Sequence, residues 1–213
     1  MPRSTARSTI STASRRRSTR LAYPAPGDAA LSARVAALLD AGIDDDRGLD
    51  HGAWVPLLLM YPQADIPVVQ IAVQPHRGVA HHIALGRALA PLRDEGVLVI
   101  GSGTFVHNLR LLDRRGVNAP EPEWSKLFAN WMDDALRARD DAALIDYRAR
   151  APYAAQAHPE EEHLLPLFVA YGAAARRSAS MPARPSARCA WTPIPSLKVC
   201  TQSKCEKSRR GRV

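Results

Sequence analysis

Residues 66–109 read IPVVQIAVQPHRGVAHHIALGRALAPLRDEGVLVIGSGTFVHNL, and the periodicity of this stretch decides the fold. Its first part, residues 66–73, is short, β-branched and nearly continuous in apolar character, which suits a strand buried on both faces. Over residues 79–94 the period changes, with Ile83, Leu85, Leu89 and Leu92 predicted to face inward from a helix. Residues 96–103, Gly-Val-Leu-Val-Ile-Gly-Ser-Gly, then read as a second buried strand that ends in a glycine-rich turn. Strand, helix and strand at this spacing form a βαβ unit. The expected fold is therefore α/β, a single domain with a central, mostly parallel or mixed sheet flanked by helices.

Working outward, Asp28 is a plausible N-cap for a helix over about 29–41, with Leu31, Val35, Leu38 and Leu39 on one face and Gly42 closing it. Residues 44–50 read as a charged loop. A third helix is expected over 123–139, turning Trp124, Leu127, Phe128, Trp131 and Leu136 inward. A fourth is expected over 160–175, with Leu164, Leu167, Phe168 and Tyr171 at helical spacing. Gly101-Ser102-Gly103 is too short to be a dinucleotide fingerprint.

The two ends differ from this middle. Residues 1–20 carry six Arg and no acid, and residues 172–213 carry seven Arg, three Lys and one Glu. The net charge of +8 therefore lies in the ends, and residues 21–171 stand at −7. Both ends lack hydrophobic period, so each is expected to be a disordered basic tail, 1–20 and 176–213, around a domain at 21–175. An acidic middle argues against specific nucleic-acid binding, since basic tails bind polyanions without selectivity. No apolar run is long enough to span a membrane, and no apolar region follows the basic start as a secretory signal would require. The start loosely resembles a transit peptide in its Arg and Ser content. Cys189, Cys200 and Cys205 all lie in the C-terminal tail at spacings that match no zinc pattern. A core without cysteine fits a reducing compartment, and a cytoplasmic location is expected.

Seven histidines fall between residues 51 and 163. His51 follows Asp50 and precedes Gly52, in what reads as a loop where backbone can approach a ligand and Asp50 can orient the ring. His107 follows the second expected strand, at the end of the sheet where ligands collect in open α/β folds. His163 is expected on the first turn of the fourth helix. Beside it, Glu161 or Glu162 could serve as an oxygen ligand or as an acceptor behind the ring. His158 is undecided, while His76, His81 and His82 are expected to be solvated. No Ser-His-Asp order or nucleophilic Cys stands out.

Several motifs occur together and in order: YPAPGD at 23–28, DHGAWVPL at 50–57, MYPQADIPVVQIAV at 60–73, GRALAPLRDEGVLVIGSGTFVHNL at 86–109 and EEHLLPLFVAYGAA at 161–174. As a series covering about 21–175, they resemble the DODA-type class III extradiol aromatic ring-opening dioxygenases. The resemblance implies a single α/β domain and a non-haem divalent metal, Fe2+ in most such enzymes and Zn2+ in some. It implies a catechol-type, DOPA-like substrate and insertion of both atoms of O2 beside the two hydroxyls. By motif, His107 corresponds to an active-site His next to the metal, His163 to a C-terminal metal position, and His51, with Asp50, to a group that meets substrate or oxygen.

The chain also departs from that family. Members usually begin with a strand ending in His-Gly and a second ending in a Ser-Ala-His-Trp-like motif, whose two His are principal metal ligands. Neither motif occurs here, and the strand that usually follows the EHLLPL helix is not recognisable after Gly172. The Arg-, Ser-, Pro- and Ala-rich character of both ends is the expected signature of a shifted reading frame in GC-rich DNA. Two His motifs short, the chain is expected to bind metal weakly and to turn over catechols poorly. A different class of function, a non-catalytic subunit or binding protein that keeps the substrate-pocket half of the fold, is the alternative expectation.

Overall fold

The computed structural model describes residues 9–12, 22–112 and 120–174. The three cysteines and most of both basic tails lie outside the described residues. Among those described, helices dominate. They are α1 (Ala29–Leu39), α2 (His51–Met60), α3 (Gly78–Leu89), α4 (Glu123–Ala138), the short α5 (Asp141–Ile145), α6 (Tyr147–Arg150) and α7 (Ala154–Ala157), and α8 (Leu165–Ala173).

The sheet is small and mixed. β1 (Thr9–Thr12) lies in the middle, parallel to β2 (Gly42–Asp44) and antiparallel to β3 (Val69–Ile71). Two expectations are corrected here. Thr9–Thr12 is strand inside a segment that its composition assigns to disorder, and β2 takes the first residue of the expected 44–50 loop. The composition rule weighs side-chain burial, whereas a central strand is held by backbone bonds on both of its edges.

The expected second strand of the βαβ unit is not formed. Over residues 97–103, Val97 and Val99 pack with Leu89 and Leu92, but no ladder joins the segment to another strand among the described residues. An apolar, β-branched run fixes extension and burial, whereas a strand also needs a neighbour's backbone.

Helices α1 and α4 follow their sequence signals, although α1 closes at Asp40 and the expected closing residue Gly42 opens β2. Asp28 caps α1 by accepting from Leu31 N–H, and α1 ends at Asp40 in the left-handed region. The main core gathers Phe128 and Met132 of α4, Leu144 and Tyr147 of the following short helices, and Leu165 and Phe168 of α8. Leu127, expected to face inward, is 39 % exposed and lies off that face.

At the centre, α3 crosses α8 with backbone against backbone. A Cβ on Gly86 would stand 2.1 Å from the carbonyl oxygen of Val169, and one on Gly172 would stand 2.2 Å from that of Ile83. Only glycine allows helices to approach this closely. One end of the crossing is held by a polar cluster. The Tyr171 hydroxyl donates to Asp141, Arg87 pairs with the same carboxylate, and the Arg139 guanidinium stacks 4.1 Å above the Tyr171 ring.

The fourth helix begins five residues later than expected, at Leu165, and ends at Ala173. Pro166 explains the delay. Its ring is favoured in the first turn of a helix and costly further in, so a start at Leu165 wins over one at Glu160. His163 therefore occupies a turn before α8 and not the helix itself.

Candidate active site

Two segments build the site. The first, residues 101–108, begins with the glycine-rich stretch and bends at Phe105. The second runs from α7 through the turn to α8, residues 156–166. They come into direct backbone contact at two glycines: a Cβ on Gly101 would lie 2.2 Å from Pro166 O, and one on Gly103 would lie 2.1 Å from His163 O. The glycines that suggested a turn thus serve close approach between segments.

Hydrogen bonds then stitch the two together. Thr104 N–H donates to His163 O at 3.0 Å, and His107 N–H donates to Ala157 O at 2.9 Å. The Asn108 amide donates to Gln156 O at 2.7 Å. His158 is fully buried, and its Nε2 lies 2.8 Å from the Phe105 carbonyl. A carbonyl can only accept, so that nitrogen carries the proton and donates.

The result brings His107 and His163 face to face, with ring centroids 3.5 Å apart and planes inclined by 16°. His51 adds a lesser contribution to a lowered His163 pKa. The strongest cause of that lowering is burial of the ring, followed by repulsion from His107. Glu162 acts in the opposite direction. The Glu162 carboxylate lies 3.4 Å from His163 Nδ1, but the geometry is not that of a hydrogen bond, and the buried Nδ1 is unpartnered. Burial and the neighbouring imidazole both favour the neutral form of His163, the form that can take a proton from an acidic hydroxyl.

The other site residues of the sequence analysis fall as follows. Asp50 caps α2, accepting from Ala53 N–H at 3.1 Å while its own N–H donates to Gln70 Oε1 at 2.9 Å. His51 is therefore not in a loop, as expected, but opens α2 and is exposed. The missed signal was Asp50 itself, an N-cap residue directly before an apolar run. Glu161 is committed to structure, because the buried Tyr147 hydroxyl donates to it at 2.7 Å and the Tyr147 pKa is raised, first by burial and then by that bond.

His82, expected to be solvated, is fully buried. Its Nε2 accepts from Gln74 N–H at 3.2 Å, so its Nδ1 carries the proton and donates to Gly78 O at 2.6 Å. The signal was available: Val79, His82, Gly86 and Leu89 share one face of α3. His81 is partly buried and bonds to the Gln74 side chain at 2.7 Å.

His107 and His163 do not by themselves fit a shared divalent ion. A metal bond lies in the imidazole plane, and zinc or iron needs about 2.1 Å to nitrogen. Two planes 3.5 Å apart and inclined by 16° do not meet that near either ring. Among the described residues, no three His, Cys, Asp or Glu converge on a point that could hold a metal. The orphaned Nδ1 of His163 offers one donor, short of the three that an open catalytic site needs.

Comparisons with known proteins place this geometry. The family described as the catalytic LigB subunit of aromatic ring-opening dioxygenase matches residues 5–188. A 4,5-DOPA dioxygenase extradiol of Beta vulgaris is 48 % identical over 164 residues, 73 % of this chain and 60 % of that protein. The 4,5-DOPA dioxygenase extradiol of Escherichia coli K12 is 38 % identical over 158 residues, 71 % of this chain and 58 % of that protein. The chain thus spans about three-fifths of the length of the curated relatives it matches. An uncharacterized Escherichia coli K12 protein of known crystal structure aligns with a TM-score of 0.68 at 34 % identity, covering 78 % of this chain and 70 % of the other. On the family match over residues 5–188 and these identities, this chain belongs to the LigB family of aromatic ring-opening dioxygenases.

Proposed function

We propose that this chain carries part of an extradiol ring-cleaving dioxygenase site for a catechol-type, DOPA-like aromatic, with O2 as co-substrate. The observation that supports the reading most is the His107–His163 stack, built from two segments whose motifs resemble those of the DODA-type enzymes. In that reading His107 accepts a proton from a catechol hydroxyl, and His51 at the start of α2 meets substrate or oxygen from the solvent side. Asp50 acts there through the cap that holds His51 in place.

The resemblance also implies a divalent metal, Fe2+ or Zn2+, which would polarise catecholate and O2 together. His107 and His163 do not provide its full donor set, so we propose that the 213-residue chain binds metal weakly and cleaves catechols poorly. The test is anaerobic Fe2+ loading of the purified chain, followed by catechol binding and ring opening read at the absorbance of the yellow product. Binding that is lost in His107→Ala, with little turnover, is the expected result. Vigorous turnover removes the impairment while keeping the dioxygenase reading, and absence of both binding and turnover removes the reading itself.

The incomplete donor set favours one other reading, a subunit that keeps the pocket half of the fold and takes its metal donors from another chain. Metal content of the homogeneous chain distinguishes the two, since a stoichiometric ion excludes the second.

A further inference from the structure

We propose that His158 is the positioning residue of this site: its imidazole registers the segment bearing His107 against the turn bearing His163. The proposal rests on the reading of that pair as the site. Its footing is geometric.

His158 belongs to the second segment and reaches across to the first. Its backbone belongs to the α7–α8 connection, while its Nε2 donates to the Phe105 carbonyl, two residues before His107. On either side of Phe105, backbone bonds tie Thr104 to His163 and His107 to Ala157. The His158 bond thus closes the middle of a short clamp whose ends are already fixed. The residue is itself firmly held. Arg148 donates to its carbonyl at 2.9 Å, and the Phe128 ring packs at 5.9 Å from its ring, inclined by 55°.

The choice of residue type also argues for a specific bond. His158 Nδ1 is buried beside the Glu160 backbone and makes no hydrogen bond of normal geometry. A buried, unpaired nitrogen is costly, and an aromatic hydrocarbon would fill the same space without that penalty. Packing alone therefore disfavours histidine here, and the donation from Nε2 is what the imidazole adds. Glutamine can place an amide N–H near the Nε2 position, whereas phenylalanine can fill the volume but cannot donate.

The experiment reads the stack directly. In histidine-labelled full chain, the carbon-bound imidazole protons of His163 sit over the His107 ring and are displaced by its ring current. His107→Ala gives the unstacked reference. His158→Gln is expected to retain most of the His163 displacement. His158→Phe, with core methyl signals of Leu144 and Leu164 unchanged, is expected to lose at least half of it. A folded His158→Phe protein with unaltered His163 signals overturns the proposal, as does a folded His158→Gln protein that loses them as fully as the Phe variant. If the Phe variant does not fold, His158→Gln decides alone on the same criterion. If neither folds, His158 is a core residue and the positioning role is refuted. The measurement needs neither metal nor turnover, so an absence of catechol binding would remove the functional reading without touching this result.

Discussion

A Cβ on Gly103 would lie 2.1 Å from the carbonyl oxygen of His163, so these two residues meet with no room for any side chain between them. The obstacle is backbone, which cannot rotate out of the way. Gly103→Ala is expected to push the 101–108 segment off the turn, break the Thr104–His163 bond and cost about 2–3 kcal/mol. Urea denaturation measures the cost, and loss of the His163 ring-current displacement reports the local shift. A variant as stable as the parent would contradict the close approach.

Gly172→Ala tests the helix crossing. Alanine favours a helix over glycine by up to about 1 kcal/mol, which alone would stabilise α8. Against that, the new methyl would stand 2.2 Å from Ile83 O and 3.0 Å from the Gly86 Cα. Overpacking against a rigid backbone costs about 3 kcal/mol, so the clash wins and a net loss of about 2 kcal/mol is expected. Thermal unfolding of the variant against the parent checks the sign, which is the informative part.

The buried histidines predict acid sensitivity. Burial is the leading cause that lowers the pKa of both His82 and His158 below the ordinary value of 6.5. The sign follows from linkage. The unfolded chain takes up protons first as pH falls, so the stability these rings contribute is fully present above about 6.5 and is lost as pH falls from there towards their lower folded values. Denaturant unfolding at a series of pH values between 7.5 and 4.5 should show this decline. His82→Asn keeps a donor for Gly78 but removes the titration, and is expected to be less stable at neutral pH and flatter below 6.5. An equally steep profile in that variant would exclude His82 as a source.

Tyr147→Phe removes the hydroxyl that donates to Glu161 at 2.7 Å while leaving the ring in the core. A bond to a charged acceptor contributes about 1.5–3 kcal/mol, and Glu161 at the turn can regain water, so a loss near about 1.5 kcal/mol is expected. Chemical denaturation measures it. A loss below a few tenths of a kcal/mol would mean that Glu161 does not depend on the tyrosine.

Much of this was legible in the sequence, for identifiable reasons. Helices α1 and α4 agree with the expected spans to within two residues because a single helical period runs through each, with Asp28 capping the first. The two rings that the structure stacks, His107 and His163, belong to motifs singled out in the sequence. Segments 96–103 and 160–164 were misread for opposite reasons. The first had every attribute of a strand except a partner, which no local pattern encodes. In the second, helical spacing outweighed Pro166, although proline is favoured in the first turn of a helix and costly further in. His82 and His158 were undervalued because titratable residues were assigned by type to water or chemistry, whereas fixed tautomers in dry surroundings make them structural bonds.

The α3–α8 crossing has a mechanical consequence. A seam of side chains can absorb a perturbation by changing rotamers, but here the contact is peptide against peptide, with glycine on both helices. Such a joint has almost no slack, and α8 behaves as a strut fixed at the Gly172 end. Pro166 and the His163 turn sit at its other end. The spacing of the two stacked rings is therefore gauged from the middle of the molecule, and distant substitutions that tilt α3 reach the site as a change of alignment.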